Sequence, residues 1–538
     1  MTSLVTRNRF ILSSAVMVGT MLILAGCGSA ATPVVSNQDS LTGPIPNVGT
    51  YMDWTKTVYS RMSGSALVQE PLMTLSDSAK LKPAAAISWS VSSNKLIWTF
   101  HLRKGLTWSN GSPLVAQDYV YGFERSAKPS TGYDFGWFWG TVIHLKNWNK
   151  ISKGILPPKD LGVKAINAST LQFTTDVPVP FMPLAMAYAW PDPPQIVNKY
   201  GATWATHANT MLFSGPYMVK KWVTNQYIQF TKNPNYHGPQ KVAVKNITLN
   251  LTSEDDYNAF LTGQVDWTLL NPGQYRAAKA HLPPNSHLVS EPQWWINMLG
   301  FNQNSKPFNS TLVRRAFMLA INRSNLVADV LKGLATPDTS VVPQGFPGYD
   351  PNIQEPYNVS EARTLLAQAG YPNGAGFPSE TLLIRNEAAT IGTTLPAAEY
   401  IQAQLKANLG ISISVKVLDM PTWEADVSNG KAQMFIRPYN FDYVDPSDWY
   451  SLFLPGGVMT WNDPRYDAVV NEANESFNPT QRSTLYDNAA QILNQQAGAI
   501  FLWTNRLQYL VSNKVKNFPS SPVISLDSGW LNTLQVNR

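Results

Sequence analysis

Cysteine is almost missing from this chain, with one thiol, Cys27, in 538 residues. No internal disulfide can form, so the fold rests on its apolar core. Charge is sparse as well, at 14% of residues against roughly 25% in ordinary soluble domains, and neutral polar side chains must cover much of the surface. The formal net charge of +6 is spread without a long basic run, which argues against nucleic acid as a partner. A mildly basic, acid-poor exterior would limit charge build-up in an acidic medium. The histidines at 101, 144, 207, 237, 281 and 287 lack metal-ligand spacing, and HExxH, GxSxG, CxxC and GxxxxGK[ST] are absent. No resident metal, phosphate loop or other cofactor is therefore expected. Adjacent acids at Glu254-Asp255-Asp256 fit a solvated turn better than a glycosidase pair.

Long hydrophobic runs are scarce too. Phe10 to Leu24 is an interrupted apolar stretch of about fifteen residues, short of the ~20 that a spanning helix needs. It follows Arg7 and Arg9 and ends at Leu24-Ala25-Gly26-Cys27, the layout of a secretory signal closing on a lipobox. Residues 1–26 are expected to be removed and Cys27 to carry a lipid anchor to the membrane. Residues 27–48, rich in Ser, Thr, Pro, Asn and Gly without periodicity, read as a tether.

What is present is patterned most densely between Leu96 and Phe123. Leu96, Trp98, Phe100 and Leu102 recur with period two, as in a strand with one packed face. Asn110-Gly111 suits a tight turn, and after Pro113 the period lengthens, with Tyr119, Val120, Phe123 and Ala127 on one helical face. Asp160 to Pro180 reads as two strands around Asn167-Ala168-Ser169, and Trp294 to Asn302 as an extended crossing between lobes. Helices are expected at Val313–Ile321, Ser360–Ala369, Leu395–Asn408, Tyr466–Phe477 and Gln481–Gln496, with Arg314, Arg315 and Arg323 on outer faces. The length allows about two to five domains.

The wording of Asn94, Ile97-Trp98, Phe100, Leu102-Arg103-Lys104-Gly105-Leu106, Trp108, Asn110-Gly111-Ser112-Pro113 and Asp118 resembles the family 5 extracellular solute-binding proteins, the receptors of peptide and nickel ABC importers. The resemblance continues through Ser214-Gly215-Pro216-Tyr217, Lys232-Asn233-Pro234-Asn235-Tyr236 and Trp461-Asn462-Asp463-Pro464. Val115 departs from the family's usual Thr, so that helix must be capped from elsewhere. The resemblance implies an α/β (mixed α+β) chain with the three-domain type II periplasmic-binding-protein fold, whose two lobes close about a hinge. Domain I would be discontinuous (49–70, 191–296 and 498–538), domain II would be 71–190 and domain III 297–497. It also implies a monomeric, non-enzymatic receptor that delivers oligopeptides to a membrane permease. Alternatives are a binder of dipeptides, oligosaccharides or chelated nickel, or a secreted hydrolase.

Site residues follow from the same resemblance. In Pro438 to Pro446 an acid three residues after an aromatic would pair with a peptide's α-ammonium, which points to Asp442 with Tyr439, Asn440 and Phe441 around it. Burial between aromatics would raise the pKa of Asp442 unless a cation sits opposite. Asp445, followed by Pro446, reads as a turn cap. The aromatic cluster Tyr133 to Trp139 is either core or a wall on which ligand stacks; Trp139 is the expected ligand contact, with Trp449 and Trp137 also placed near the cleft.

Overall fold

The computed structural model describes residues 39–44, 49, 51–59, 61–62, 64–76, 78–240, 242–251, 255–350, 356–387, 391–521 and 528–537. The signal segment and Cys27 lie outside them. Among the described residues no helix is long and apolar enough to cross a membrane.

The period-two run folds as Ile97–Leu102, burying Trp98, Phe100 and Leu102 and exposing His101. It sits between Ala86–Val91 and Thr170–Thr174, with Phe100 opposite Leu171 and Trp98 opposite Phe173. Val163–Asn167 completes this antiparallel four-stranded sheet. Helix Ala116–Ser126 buries Tyr119, Val120 and Phe123, and the Phe123 ring stands 5.3 Å from Phe173 and 4.7 Å from Trp139. Val115 offers no side-chain acceptor at the helix start. Asp118 supplies the other half of a capping box instead, its Oδ2 accepting the Val115 N–H at 3.0 Å and the Trp108 indole N–H at 3.1 Å.

A second sheet runs Ser40–Pro44, Asn246–Asn250, Tyr227–Lys232 and Tyr217–Val223. Its first strand corrects the tether reading at those positions: Ser40–Pro44 pairs in parallel with Asn246–Asn250 and buries Leu41. The strand covers an edge that would otherwise present unpaired amides, and five residues with one large apolar side chain are too few to show a period.

The third sheet has seven strands, in the order Trp267–Leu269, Ile500–Ser512, Ser286–Phe301, Met434–Asn440, Glu380–Arg385 and Ile413–Leu418, with Ala335–Pro337 also on Ile500–Ser512. The expected crossing segment is the second half of the 16-residue strand Ser286–Phe301, which pairs antiparallel with Ile500–Ser512 from Ser286 to Leu299. These two strands link distinct apolar cores. One, around Leu41, Tyr217, Phe230, Ile247 and Trp267, takes in Val511. Others, around Phe317, Ile401 and Trp449, take in Leu299, Ile500 and Phe501. A separate core holds Trp98, Phe123, Trp139 and Phe173.

The helix expected at 313–321 is Thr311–Ala320, yet two of its neighbouring arginines are not on an outer face. Arg314 and Arg323 are buried. Arg314 donates to the carbonyls of Phe308 (2.7 Å), Gln496 (2.8 Å) and Ala497 (3.1 Å). Its fork of donors satisfies carbonyls left open after helix Pro479–Gln495, which makes burial of the guanidinium tolerable.

Candidate ligand site

Strand Met434–Asn440 ends at Asn440, and the chain turns through Phe441–Asp445 into the short helix Pro446–Tyr450. Asp445 caps that helix, accepting the Ser447 N–H at 2.9 Å, and is held by the Arg482 guanidinium at 2.7 Å. The helix start folds Asp448 back under the turn, where its Oδ2 accepts the Asp442 N–H at 2.8 Å. Tyr439, three residues before Asp442, brings its hydroxyl to Asp442 Oδ2 at 2.8 Å and to Asp448 Oδ1 at 2.9 Å. From the other side of a cleft the Tyr59 hydroxyl donates to Asp442 Oδ1 at 3.3 Å and itself accepts the Trp137 indole N–H at 3.1 Å. The Tyr188 hydroxyl donates to the Asp442 carbonyl.

Burial pushes the Asp442 carboxyl up to about 6, against the hydrogen bonds of Tyr439 and Tyr59. Asp448 is raised well above the usual carboxylate range, by burial first and then by the charge on Asp442. Among the described residues no cationic side chain forms an ion pair with either acid. Both face a cavity of about 650 Å³, walled on one side by Tyr59, Trp137, Val142, Val179 and Phe181 and on the other by Tyr439, Leu452, Leu454 and Val458. His144 and Glu475 also line it; burial lowers the pKa of His144, partly opposed by Asp176 and Glu475. Tyr443 seals one wall, its ring 5.3 Å from both Phe138 and Phe181. A second cavity of about 390 Å³ lies beyond Tyr188 and Tyr443, bordered by Val58, Met73, Trp190 and Trp530.

The sequence model of the bacterial extracellular solute-binding proteins, family 5, matches residues 80–461. The chain belongs to this family. Escherichia coli K12 supplies two relatives. The probable deoxycholate-binding periplasmic protein YgiS is 30% identical over 463 residues, 84% of this chain and 85% of that one. The periplasmic oligopeptide-binding protein OppA is 28% identical over 434 residues, 78% of each chain. Among solved structures, the murein tripeptide-binding protein MppA in its unliganded open form superposes with a TM-score of 0.79 at 24% identity, over 93% of this chain and 98% of that one. Haemophilus influenzae OppA in complex with RPPGFSPFR gives 0.73 at 23% identity, over 93% and 99%. The fold is therefore the mixed helix-and-sheet, multidomain one of periplasmic binding proteins.

In this family 5 protein the expected site residues separate into two groups. Asp442 and Tyr439 border the cavity together. Phe441 does not: it is buried against Trp294 and Phe346, at ring distances of 5.2 and 5.9 Å. Asn440 stands opposite Trp295 in the sheet, and its Oδ1 is buried without a partner. Trp139 and Trp449 are both fully buried core residues, and neither lines the cavity. Trp139 packs on Phe123, Phe138 and Trp148, while Trp449 stands edge-on to Tyr439 at 5.3 Å and supports it from behind. Trp137 takes the exposed position expected of Trp139, at 40% exposure against 0%. Sequence reasoning missed Tyr59, Tyr188, Tyr443 and Asp448. For Asp448 a signal was available, because an acid three residues after an Asp-Pro cap lies in the first helical turn and points back towards the residues before the cap.

Proposed function

We propose that this protein is the lipid-anchored, extracytoplasmic binding component of an ABC importer, and that it captures oligopeptides with the free α-ammonium against Asp442. The carrying observation is Asp442 at the cavity wall, its carboxyl pushed up by burial and, among the described residues, without a cationic side chain in an ion pair with it, an arrangement that an incoming ammonium balances. Met434–Asn440 supports the same reading. Its ladder to Glu380–Arg385 covers only Met434 and Phe435, so beyond Phe435 this side of the strand has no ladder among the described residues, and a peptide main chain that paired near Tyr439 and Asn440 would bind with little regard for its side chains. A carboxylate-bearing solute such as deoxycholate would set its charge against Asp442.

The partition into domain I (49–70, 191–296 and 498–538, now joined by Ser40–Pro44), domain II (71–190) and domain III (297–497) remains our proposal, supported by the separate cores. Closure about Ser286–Phe301 and Ile500–Ser512 would bury the ligand and present a new surface to a permease. In this reading the receptor is a monomer tethered through Cys27, and Cys27→Ala should release it from the membrane fraction without unfolding it.

The test is calorimetric titration of trialanine, N-acetyl-trialanine and deoxycholate into the wild type and Asp442→Asn. Losing one member of a desolvated ion pair costs about 2–5 kcal/mol, roughly thirtyfold or more in Kd. The variant should lose that much for trialanine and almost nothing for the acetylated peptide. Equal effects on both peptides, or tight binding of deoxycholate alone, would refute the reading.

A further inference from the structure

The Tyr439 hydroxyl lies within hydrogen-bond distance of two carboxylate oxygens, Asp442 Oδ2 at 2.8 Å and Asp448 Oδ1 at 2.9 Å. A phenol has one hydrogen to give. It can satisfy one of these contacts, and the other is a hydrogen bond only if a carboxyl brings its own proton. Asp448 Oδ2 already accepts the N–H groups of Asp442 at 2.8 Å and Tyr443 at 3.4 Å. Asp442 Oδ1 accepts the Tyr59 hydroxyl. The extra proton therefore belongs on one of the two oxygens that face Tyr439.

We propose that Asp448 is a carboxylic acid in the ligand-ready protein, its Oδ1–H donating to Tyr439 and Tyr439 donating to Asp442, so that the site shows one negative charge matched to one primary ammonium. The charge belongs on Asp442 because Asp442 is only half-buried, whereas Asp448 is 3% exposed, and ionisation is less costly on the wetter group. The surroundings agree. Tyr59, whose pKa is raised by burial first and then by Asp442 and Asp134, and Tyr188 face the pair from across the cleft. Tyr443 is on its own turn. Arg482 is committed to Asp445 at 2.7 Å and Tyr486 at 2.9 Å. His144 and Glu475 line the same cavity. Asp448 is thus a positioning residue: it fixes the direction in which Tyr439 donates and keeps a second charge out of the site.

The proposal rests on Asp442 receiving the ammonium, and its test separates the two ideas. Asp448→Asn keeps the shape and can still donate to Tyr439, so trialanine affinity should stay within about threefold of wild type. The fall in affinity on acidification should remain centred near pH 6, where Asp442 takes up a proton. A loss as large as that of Asp442→Asn, or an acid limb moved down by a unit or more, would mean that Asp448 is ionised and overturn the proposal. Infrared difference spectra of the unliganded wild type minus Asp448→Asn at pH 7 need no ligand. They should show the C=O stretch of a protonated carboxyl, and its absence would overturn the proposal whatever the ligand is. A band present without discrimination between free and acetylated peptides would support the proton and sink the peptide reading alone. If Asp448→Asn does not fold, Tyr439→Phe removes the acceptor of the acid proton and must shift that band; an unshifted band overturns the assignment.

Discussion

Trp137 and Trp139 stand two positions apart and have opposite surroundings. The first donates its indole N–H to Tyr59 at the cavity wall, and the second is enclosed by Phe123, Phe138 and Trp148. Their substitutions should separate accordingly. Trp137→Ala is expected to weaken trialanine binding by about 1–3 kcal/mol if it is a contact residue, with an unchanged melting curve. Trp139→Ala should cost about 3–5 kcal/mol of stability by leaving a cavity, while calorimetry on the folded fraction finds normal affinity. The reverse outcome would return the ligand wall to Trp139. Five aromatics in seven residues announced a cluster but not its outward member, because Phe138–Val142 is an irregular wide helical turn in which neither a period of two nor one of 3.6 assigns faces.

At the scale of elements, the turn that carries Asp442 is fixed from behind. Asp445 joins the cap of Pro446–Tyr450 to Arg482 on the helix Pro479–Gln495, and both partners are largely buried. Arg482→Met should therefore cost about 3–5 kcal/mol by stranding the Asp445 charge. Adding Asp445→Asn should recover part of that loss. Denaturant melts of the two single variants and the double variant measure the coupling, and purely additive losses would show that the pair does not act as a unit. The cap was legible as an acid before Pro446. Its partner lies 37 residues away and was not.

For the whole molecule, the acids that burial raises set a direction for stability against pH. Burial raises Glu291 to about 8, Asp338 to about 7 and Asp442 to about 6, all above the ordinary value near 4. The folded protein then binds more protons than the unfolded chain between about pH 4 and 8, so these groups stabilise at the acid end and lose that contribution as pH rises through their folded values. Each ionising group removes up to about 1.4 kcal/mol per pH unit. Arg125 lowers Asp53 and acts in the opposite sense, but only below the ordinary value of 3.8, and His144, lowered by burial, opposes the three acids below its ordinary value of 6.5. The unliganded protein should melt higher at pH 5 than at pH 8 by scanning calorimetry, and a flat or rising profile over that interval would contradict the assignment of these buried acids.

By itself the sequence determined the elements whose pattern is long and local. These include the strand Ile97–Leu102 and the helix after it, the paired strands around Asn167-Ala168-Ser169, the extended run from Trp294, and the Asp445 cap before Pro446. Each shows a full period or a cap within one window of chain, which is what side-chain alternation and helix geometry impose locally. Only the tertiary structure decided the rest. Ser40–Pro44 became a strand because an edge about 200 residues on needed covering; Arg314 went inside because distant carbonyls needed donors; and Tyr59, with Trp137 donating to it, and Tyr188 reached Asp442 because two separately built cores meet there. Such contacts are set by which open hydrogen-bonding groups and apolar faces lie opposite once the chain has collapsed, and no local period records that.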